Sequence, residues 1–271
     1  MHGLVRHQRL SITLSVVLIG LLVPIVLPIP SGEVSTSLLG SELALTVSGL
    51  AGLAALLTLI LAAGIWAIQS PSDEPLLQRL TYWPAPAALL IISLIYQRHI
   101  AWWGYQLLWV GLSGGLLALL ITVQQRSRRP DVHGASGRFI LALCVYVEAL
   151  VLFALLYGTR ARSIISASGA LLTAAALSLE LLRHEPQASW RTWLYAALIG
   201  LMLGEMTWAL NYWSVDARLG AGLLLLMFYA LTGISQQLFR QRLTRRIALE
   251  YALLCAGGFA VLALSRLIAN A

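Results

Sequence analysis

Residues 199–213 read IGLMLGEMTWALNYW, an apolar stretch that contains a single carboxylate, Glu205, and ends in aromatic residues. Comparable apolar runs recur along the whole chain: 59% of residues are apolar and only 11% are charged. Soluble domains contain about 25% charged residues. Because such runs are long enough to cross about 30 Å of hydrocarbon as helices, the composition predicts an integral membrane protein.

The predicted fold class is all-α, a polytopic transmembrane helix bundle of about nine spans, with eight as the main alternative. Helices are expected because lipid cannot satisfy backbone polar groups, and the runs are too long and too uniformly apolar for barrel strands. The whole chain, residues 1–271, is expected to form one integral membrane domain without a soluble domain. The predicted spans are 10–28, 43–68, 80–96, 102–123, 139–157, 163–183, 192–213, 219–239 and 247–268.

The first span has an alternative interpretation as a signal peptide, because Arg6, His7 and Arg9 precede it. Its apolar run of about 18 residues is long for a signal peptide, and a cleavage site with small residues does not clearly follow. A retained helix is therefore favoured. In the third span, Pro84 and Pro86 lie near the start, where proline suits the first turn of a helix.

Arginine placement predicts the orientation, since all 18 basic residues are arginines. With a cytoplasmic N-terminus and nine spans, thirteen of them fall in cytoplasmic segments and five outside, as the positive-inside rule requires. The C-terminus is then external. The arginine-rich cytoplasmic loops are expected to contact anionic lipid headgroups, and this explains the net charge of +7 without nucleic acid. The expected location is the cytoplasmic membrane of a bacterium.

Sequence motifs for cofactor or metal chemistry are not found. The chain contains no Walker-type loop, dinucleotide fingerprint, HExxH or CxxC motif, and its five histidines are scattered. We therefore expect no cofactor and no metal site. Cys144 and Cys255 both lie within predicted spans, so a structural disulfide is not expected.

The seventh span carries a predicted packing surface beside a polar stripe. Ala196, Gly200 and Gly204 recur every four residues, a pattern that lets another helix approach closely in a membrane. Glu205 lies about 100° beyond Gly204, and Trp208 and Tyr212 at i+3 and i+7 share its side of the helix.

A charged carboxylate facing lipid is costly. We therefore predict that Glu205, Trp208 and Tyr212 line a hydrated cavity in the bundle, where Glu205 binds substrate, protons or cations. The alternative is that Glu205 is protonated and forms a structural hydrogen bond to a neighbouring helix.

Glu148, near the middle of the fifth span in LCVYVEALVLF, is the second buried carboxylate and has the same two interpretations. The sequence does not show whether it is close to Glu205. Glu180 and Glu250 lie near cytoplasmic ends, close to Arg183 and Arg246, and are expected to form ion pairs there. Arg98, in the outer loop YQRHIAWWGY (96–105), is expected either to anchor the interface or to bind an anionic substrate or Glu205.

Three classes of function fit these patterns. A small transporter or permease, with buried carboxylates coupled to protons or cations, is the favoured hypothesis. The alternative is a non-catalytic membrane subunit, or an assembly or sensory protein, that acts through a membrane protein partner or a homo-oligomer. An intramembrane enzyme is less favoured, because the loops are short and the spans contain few polar residues.

Overall fold

The computed structural model describes residues 2–27, 29, 31–38, 41–69, 76–128, 132–159, 163–183, 190–213, 216–242 and 244–269. Over these residues the chain forms helices and one antiparallel β-hairpin. In chain order the elements are α1 (His2–Val26), β1 (Ser31–Leu38), β2 (Ser41–Ser48), α2 (Gly49–Gln69), α3 (Leu76–Arg79), α4 (Pro84–Gln97), α5 (Trp103–Ser127), α6 (Val132–Gly158), α7 (Ser163–Leu182), α8 (Trp190–Tyr212), α9 (Ala217–Phe239) and α10 (Arg245–Ala269).

The predicted helical membrane bundle is confirmed. Among the described residues, seven helices are long and apolar enough to cross a membrane, namely α1, α2, α5, α6, α7, α8 and α9. The two other predicted spans also correspond to helices, α4 and α10, which contain 14 and 25 residues. The count of nine spans stays a prediction, because a helix of 14 residues is only about 21 Å long.

Helix α4 lies at the centre of the bundle, and this placement explains how so short a helix is accommodated. It starts at Pro84, as predicted from the two prolines. At its start, the Tyr82 carbonyl accepts a hydrogen bond from Gln124 near the end of α5. Near its other end, Gln97 donates to the Leu21 carbonyl of α1 at 2.9 Å. Because neighbouring helices pack around α4, one polar group at each of its ends forms a hydrogen bond with another helix.

Two apolar clusters form the core. The larger one joins α4, α5, α6, α7, α8 and α9, and the fully buried Phe153 and Phe228 pack edge to face in it with ring centroids 6.0 Å apart. The smaller cluster joins α1, α2, α4 and α5 around Leu21, Leu61 and Leu90. Since α4 contributes residues to both clusters, it links the two halves of the bundle.

The β-hairpin corrects the predicted boundary of the second span. Helix α2 begins at Gly49 rather than at residue 43, because residues 41–48 form strand β2 and pair with β1 from Ser31↔Ser48 to Leu38↔Ser41. Leu43, Leu45 and Val47 alternate with other residues at the period of two that strands favour. Strand β2 directly precedes the long apolar run of α2, and for this reason residues 43–48 were predicted as part of the same span.

The glycine surface of α8 packs against α7, as the sequence predicts. Gly200 and Gly204 are both buried, and α7 and α8 form the most extensive helix contact of the described residues. A Cβ atom added at Gly200 would lie 2.6 Å from the Leu171 carbonyl oxygen and 2.8 Å from the Ala175 Cβ. Two helix backbones can approach this closely only where one of them lacks a side chain.

Candidate functional site: a buried carboxylate pair below an apolar groove

A buried polar cluster lies at the end of the bundle where α5 and α7 finish and α4 begins. Its centre is Glu180 of α7, which is fully buried. Gln124 donates a hydrogen bond to Glu180 Oε1 at 3.1 Å, and Arg183 contacts both carboxylate oxygens, at 2.6 and 3.1 Å. The carboxylate is therefore held by one guanidinium and one amide, as a buried charge requires.

Tyr82, immediately before α4, connects this ion pair to a second arginine. The guanidinium carbons of Arg128 and Arg183 both lie 4.3 Å from the Tyr82 ring centroid, within the range of cation–π attraction. Arg128 also donates a hydrogen bond to the Tyr82 hydroxyl. The cluster thus joins the residue before α4 to the ends of α5 and α7.

Glu148 of α6 is close enough to Glu180 for their charges to interact. It is only 5% exposed, and its Oε2 atom has no hydrogen-bond partner among the described residues. A buried carboxylate oxygen without a partner is costly when it is charged, so this geometry favours a proton on Glu148. The structure therefore places Glu148 within electrostatic range of Glu180, a relation that the sequence did not show.

An apolar groove of about 480 Å³ lies between α4, α6 and α7. Trp83 lines one end and His99 the other. Leu152 of α6 and Leu177 of α7 line the groove on the side of Trp83. Glu148 precedes Leu152 by four residues and Glu180 follows Leu177 by three, so each carboxylate continues a groove-lining face by one helical turn.

The predicted interior position of Glu205 is wrong for the isolated chain. Glu205 is exposed on the outer surface of α8, with Trp208 and Tyr212 exposed beside it by 53% and 78%. The buried residues of α8 include Ala196, Gly200 and Gly204. At 100° per residue, Gly204 lies at the edge of this buried face, and one residue further takes Glu205 to the opposite side. The functional roles predicted for these residues stay predictions.

The remaining predicted polar residues are located as follows. Arg98 is exposed at the C-terminal end of α4, and among the described residues it does not form an ion pair with Glu205. Both predicted ion pairs are confirmed. Glu180 pairs with Arg183 in the interior rather than at an exposed interface, and the Glu250 pair with Arg246, at 3.4 Å, is exposed.

Tyr82, Gln124 and Arg128 belong to the cluster but are not predicted from the sequence. The predicted topology contained a usable signal, because these residues and Glu180 all belong to cytoplasmic ends of neighbouring spans. Nothing in the periodicity indicated that those ends converge.

A family profile described as protein of unknown function (DUF5656) matches residues 29–265. The chain belongs to this family. The DUF5656 match covers the hairpin, α2 to α9 and most of α10, and so includes every residue of the polar cluster. Neither a curated protein nor a solved structure matches the chain.

Proposed function

We propose that the chain is a small proton-coupled transporter of the bacterial cytoplasmic membrane, in which Glu148 and Glu180 form the proton-binding pair. The observation that carries the proposal is the buried Glu148 oxygen without a hydrogen-bond partner, within electrostatic range of Glu180, which Arg183 already holds. Because Arg183 already compensates Glu180, a charge on Glu148 would be buried in an apolar interior without a partner, so a proton on Glu148 is favoured.

A purely structural role for the cluster, in which Glu180 and Arg183 only stabilise the fold, would not require Glu148. Glu180, Gln124 and Arg183 already satisfy one another, and replacing Glu148 by an apolar residue would remove an uncompensated polar atom. Ionisable residues that are expensive within a membrane bundle commonly belong to proton or substrate pathways. The described residues contain no group of three or more His, Cys, Asp or Glu residues suited to a metal ion, so coupling to protons is favoured over coupling to metal cations.

The apolar groove supports a lipophilic or amphipathic substrate. It is lined by Ile91, which is 36% exposed, and by Leu172, which is 66% exposed, so it opens towards the lipid-facing surface. A substrate entering from the lipid would lie, at the Trp83 end, about one helical turn from Glu148 and Glu180, which do not themselves line the groove. Protonation of Glu148 would change the charge near the Trp83 end of the groove. Substrate binding and proton binding would then affect each other, and this would couple substrate transport to proton movement.

The test is a flux assay in proteoliposomes loaded with a pH-sensitive dye, with a panel of lipophilic amines, acids and amphiphiles and with or without a pH gradient. Glu148→Gln and Glu180→Gln are expected to abolish gradient-driven proton movement. Glu205→Gln is the matched control, because it removes a carboxylate from the outer surface. Flux driven equally well in the wild type and in Glu148→Gln would refute the proposal.

The alternative, a membrane subunit, is favoured by the exposed stripe of Glu205, Trp208 and Tyr212. A partner helix covering this stripe would relieve the cost of a carboxylate facing lipid. In a background without Cys144 and Cys255, Trp208→Cys should form a cross-linked species in membranes if a partner covers it. Cross-linking no stronger than that of Leu172→Cys, on the exposed surface of α7, would count against this role.

A further inference from the structure

A row of exposed side chains follows the outer surface of α8. We call it the outer row, and its members recur at alternating intervals of four and three residues: Leu194, Leu198, Leu201, Glu205, Trp208 and Tyr212. These intervals average about 3.5 residues, the period at which two helices pack along each other with their axes about 20° apart. The outer row therefore has the geometry of a helix-packing surface, although no other helix of the described residues covers it.

The length of the outer row matches the thickness of a membrane. From Leu194 to Tyr212, α8 rises about 27 Å, and the hydrocarbon core of a bilayer is about 30 Å thick. A loop or a domain at the membrane surface would not extend along such a row. The segment that fits against it is a second transmembrane helix.

Glu205 is the charged member of the outer row. It precedes Tyr212 by seven residues, so about 10 Å of helix separates it from the end of the row. A glutamate side chain is too short to reach the headgroups over this distance, unlike the long side chains of lysine and arginine. The described residues offer Glu205 no ion-pair partner. Its charge is therefore uncompensated where it faces lipid, and this is costly.

An aromatic ring lies one helical turn beyond this carboxylate. The indole Nε1 of Trp208 donates a hydrogen bond to the Tyr212 hydroxyl at 3.3 Å, and the rest of the ring remains exposed. Trp208 follows Glu205 by three residues, so both lie on the same side of α8. A cation beside Glu205 would be attracted by the carboxylate and also by the indole ring.

Charge decides which helix fits the outer row. A partner helix with a basic residue at the depth of Glu205 would neutralise the carboxylate. A second copy of the chain, related by a two-fold axis along the membrane normal, would instead place Glu205 opposite Glu205, so two like charges would meet. A purely apolar helix would leave the carboxylate uncompensated.

We propose that the outer row binds one transmembrane helix of another membrane protein, which carries a lysine or arginine at the depth of Glu205. The inference rests on the alternative function, the membrane subunit, and names the chemistry of its partner. It does not involve Glu148 or the groove between α4, α6 and α7.

The experiment measures association in liposomes between the dye-labelled full chain and synthetic transmembrane helices, by energy transfer. The helices contain about 20 leucine and alanine residues, with either lysine or leucine at the depth of Glu205. Glu205→Gln removes the charge, and Trp208→Leu removes the ring. Glu250→Gln is the matched control, because it removes an exposed carboxylate from α10. A monodisperse elution profile shows that each variant is folded.

The lysine helix should associate with the wild-type chain about three to ten times more tightly than the leucine helix, the range that single polar contacts between membrane helices provide. Glu205→Gln should remove this preference, Trp208→Leu should reduce it, and Glu250→Gln should leave it unchanged. Equal association of the two helices with the wild-type chain would overturn the proposal, as would a preference that persists in folded Glu205→Gln. Energy transfer between two labelled copies of the chain that Glu205→Gln abolishes would assign the outer row to a second copy instead.

Failure of this inference is distinguishable from failure of the proposed functions. Association in liposomes does not require flux, so the proton assay tests transport separately. Strong cross-linking of Trp208→Cys in membranes, together with equal association of the lysine and leucine helices, would show that a partner covers the outer row without being selected by charge. The subunit role would then stand, and the basic partner helix would be refuted.

Discussion

The contact between α7 and α8 makes a sharp prediction about Gly200→Ala. The added Cβ would lie 2.6 Å from the Leu171 carbonyl oxygen, about 0.8 Å inside the ordinary contact distance of 3.4 Å. The nearest neighbours are a backbone oxygen and the Cβ of Ala175, so the overlap cannot be relieved by a side-chain rotation. Helix α7 must move instead. By analogy with overpacked cores, the expected cost is about 1–3 kcal/mol.

Two further glycines provide a graded control. At Gly204 an added Cβ would lie 3.1 Å from the Leu171 Cβ and 3.2 Å from the Ala167 oxygen, so the cost should be smaller. At Gly115 of α5, nothing lies within 4 Å of the added atom. There the intrinsic helix preference for alanine over glycine, up to about 1 kcal/mol, should leave stability unchanged or increase it.

The measurement is unfolding in mixed micelles with increasing dodecyl sulfate, followed by circular dichroism. The expected order of stability is Gly115→Ala, then Gly204→Ala, then Gly200→Ala as the least stable. An unfolding midpoint for Gly200→Ala equal to that of Gly115→Ala would refute the packing of α8 against α7 through its glycine surface.

Two other predictions concern topology and the buried ion pair. A reporter fused after Ser136 should indicate the cytoplasm and one at the C-terminus the outside, because the arginines are distributed for nine spans; the same side for both would refute that count. Glu180→Ala should cost about 3–5 kcal/mol in the unfolding assay, since it leaves Arg183 buried without its carboxylate. Glu250→Ala, which breaks an exposed pair with Arg246, should change stability by less than about 0.5 kcal/mol, and equal losses would contradict the difference in burial.

The misplacement of Glu205 shows where helical periodicity stops being informative. Periodicity correctly put Gly200 and Gly204 on one side of α8 and Glu205 with Trp208 on another. Which side meets lipid was decided by α7, whose position the sequence of α8 does not contain. Because α8 is apolar almost all round, lipid-facing and protein-facing residues have similar composition, and the hydrophobic contrast that orients a helix in water is missing.

The sequence by itself determined that the chain lies in a membrane and is helical, because hydrocarbon forces the backbone hydrogen bonds into helices. It also determined that α8 approaches a neighbouring helix closely, because small residues permit close packing. It also determined the pair of Glu180 with Arg183, since residues three apart in a helical turn adjoin. Only the tertiary structure decided that Glu148 lies within electrostatic range of Glu180, and that Tyr82 and Gln124 complete the cluster. These residues are separated along the chain by tens of positions, and their meeting depends on which helices pack together, a property of the assembled bundle rather than of any single span.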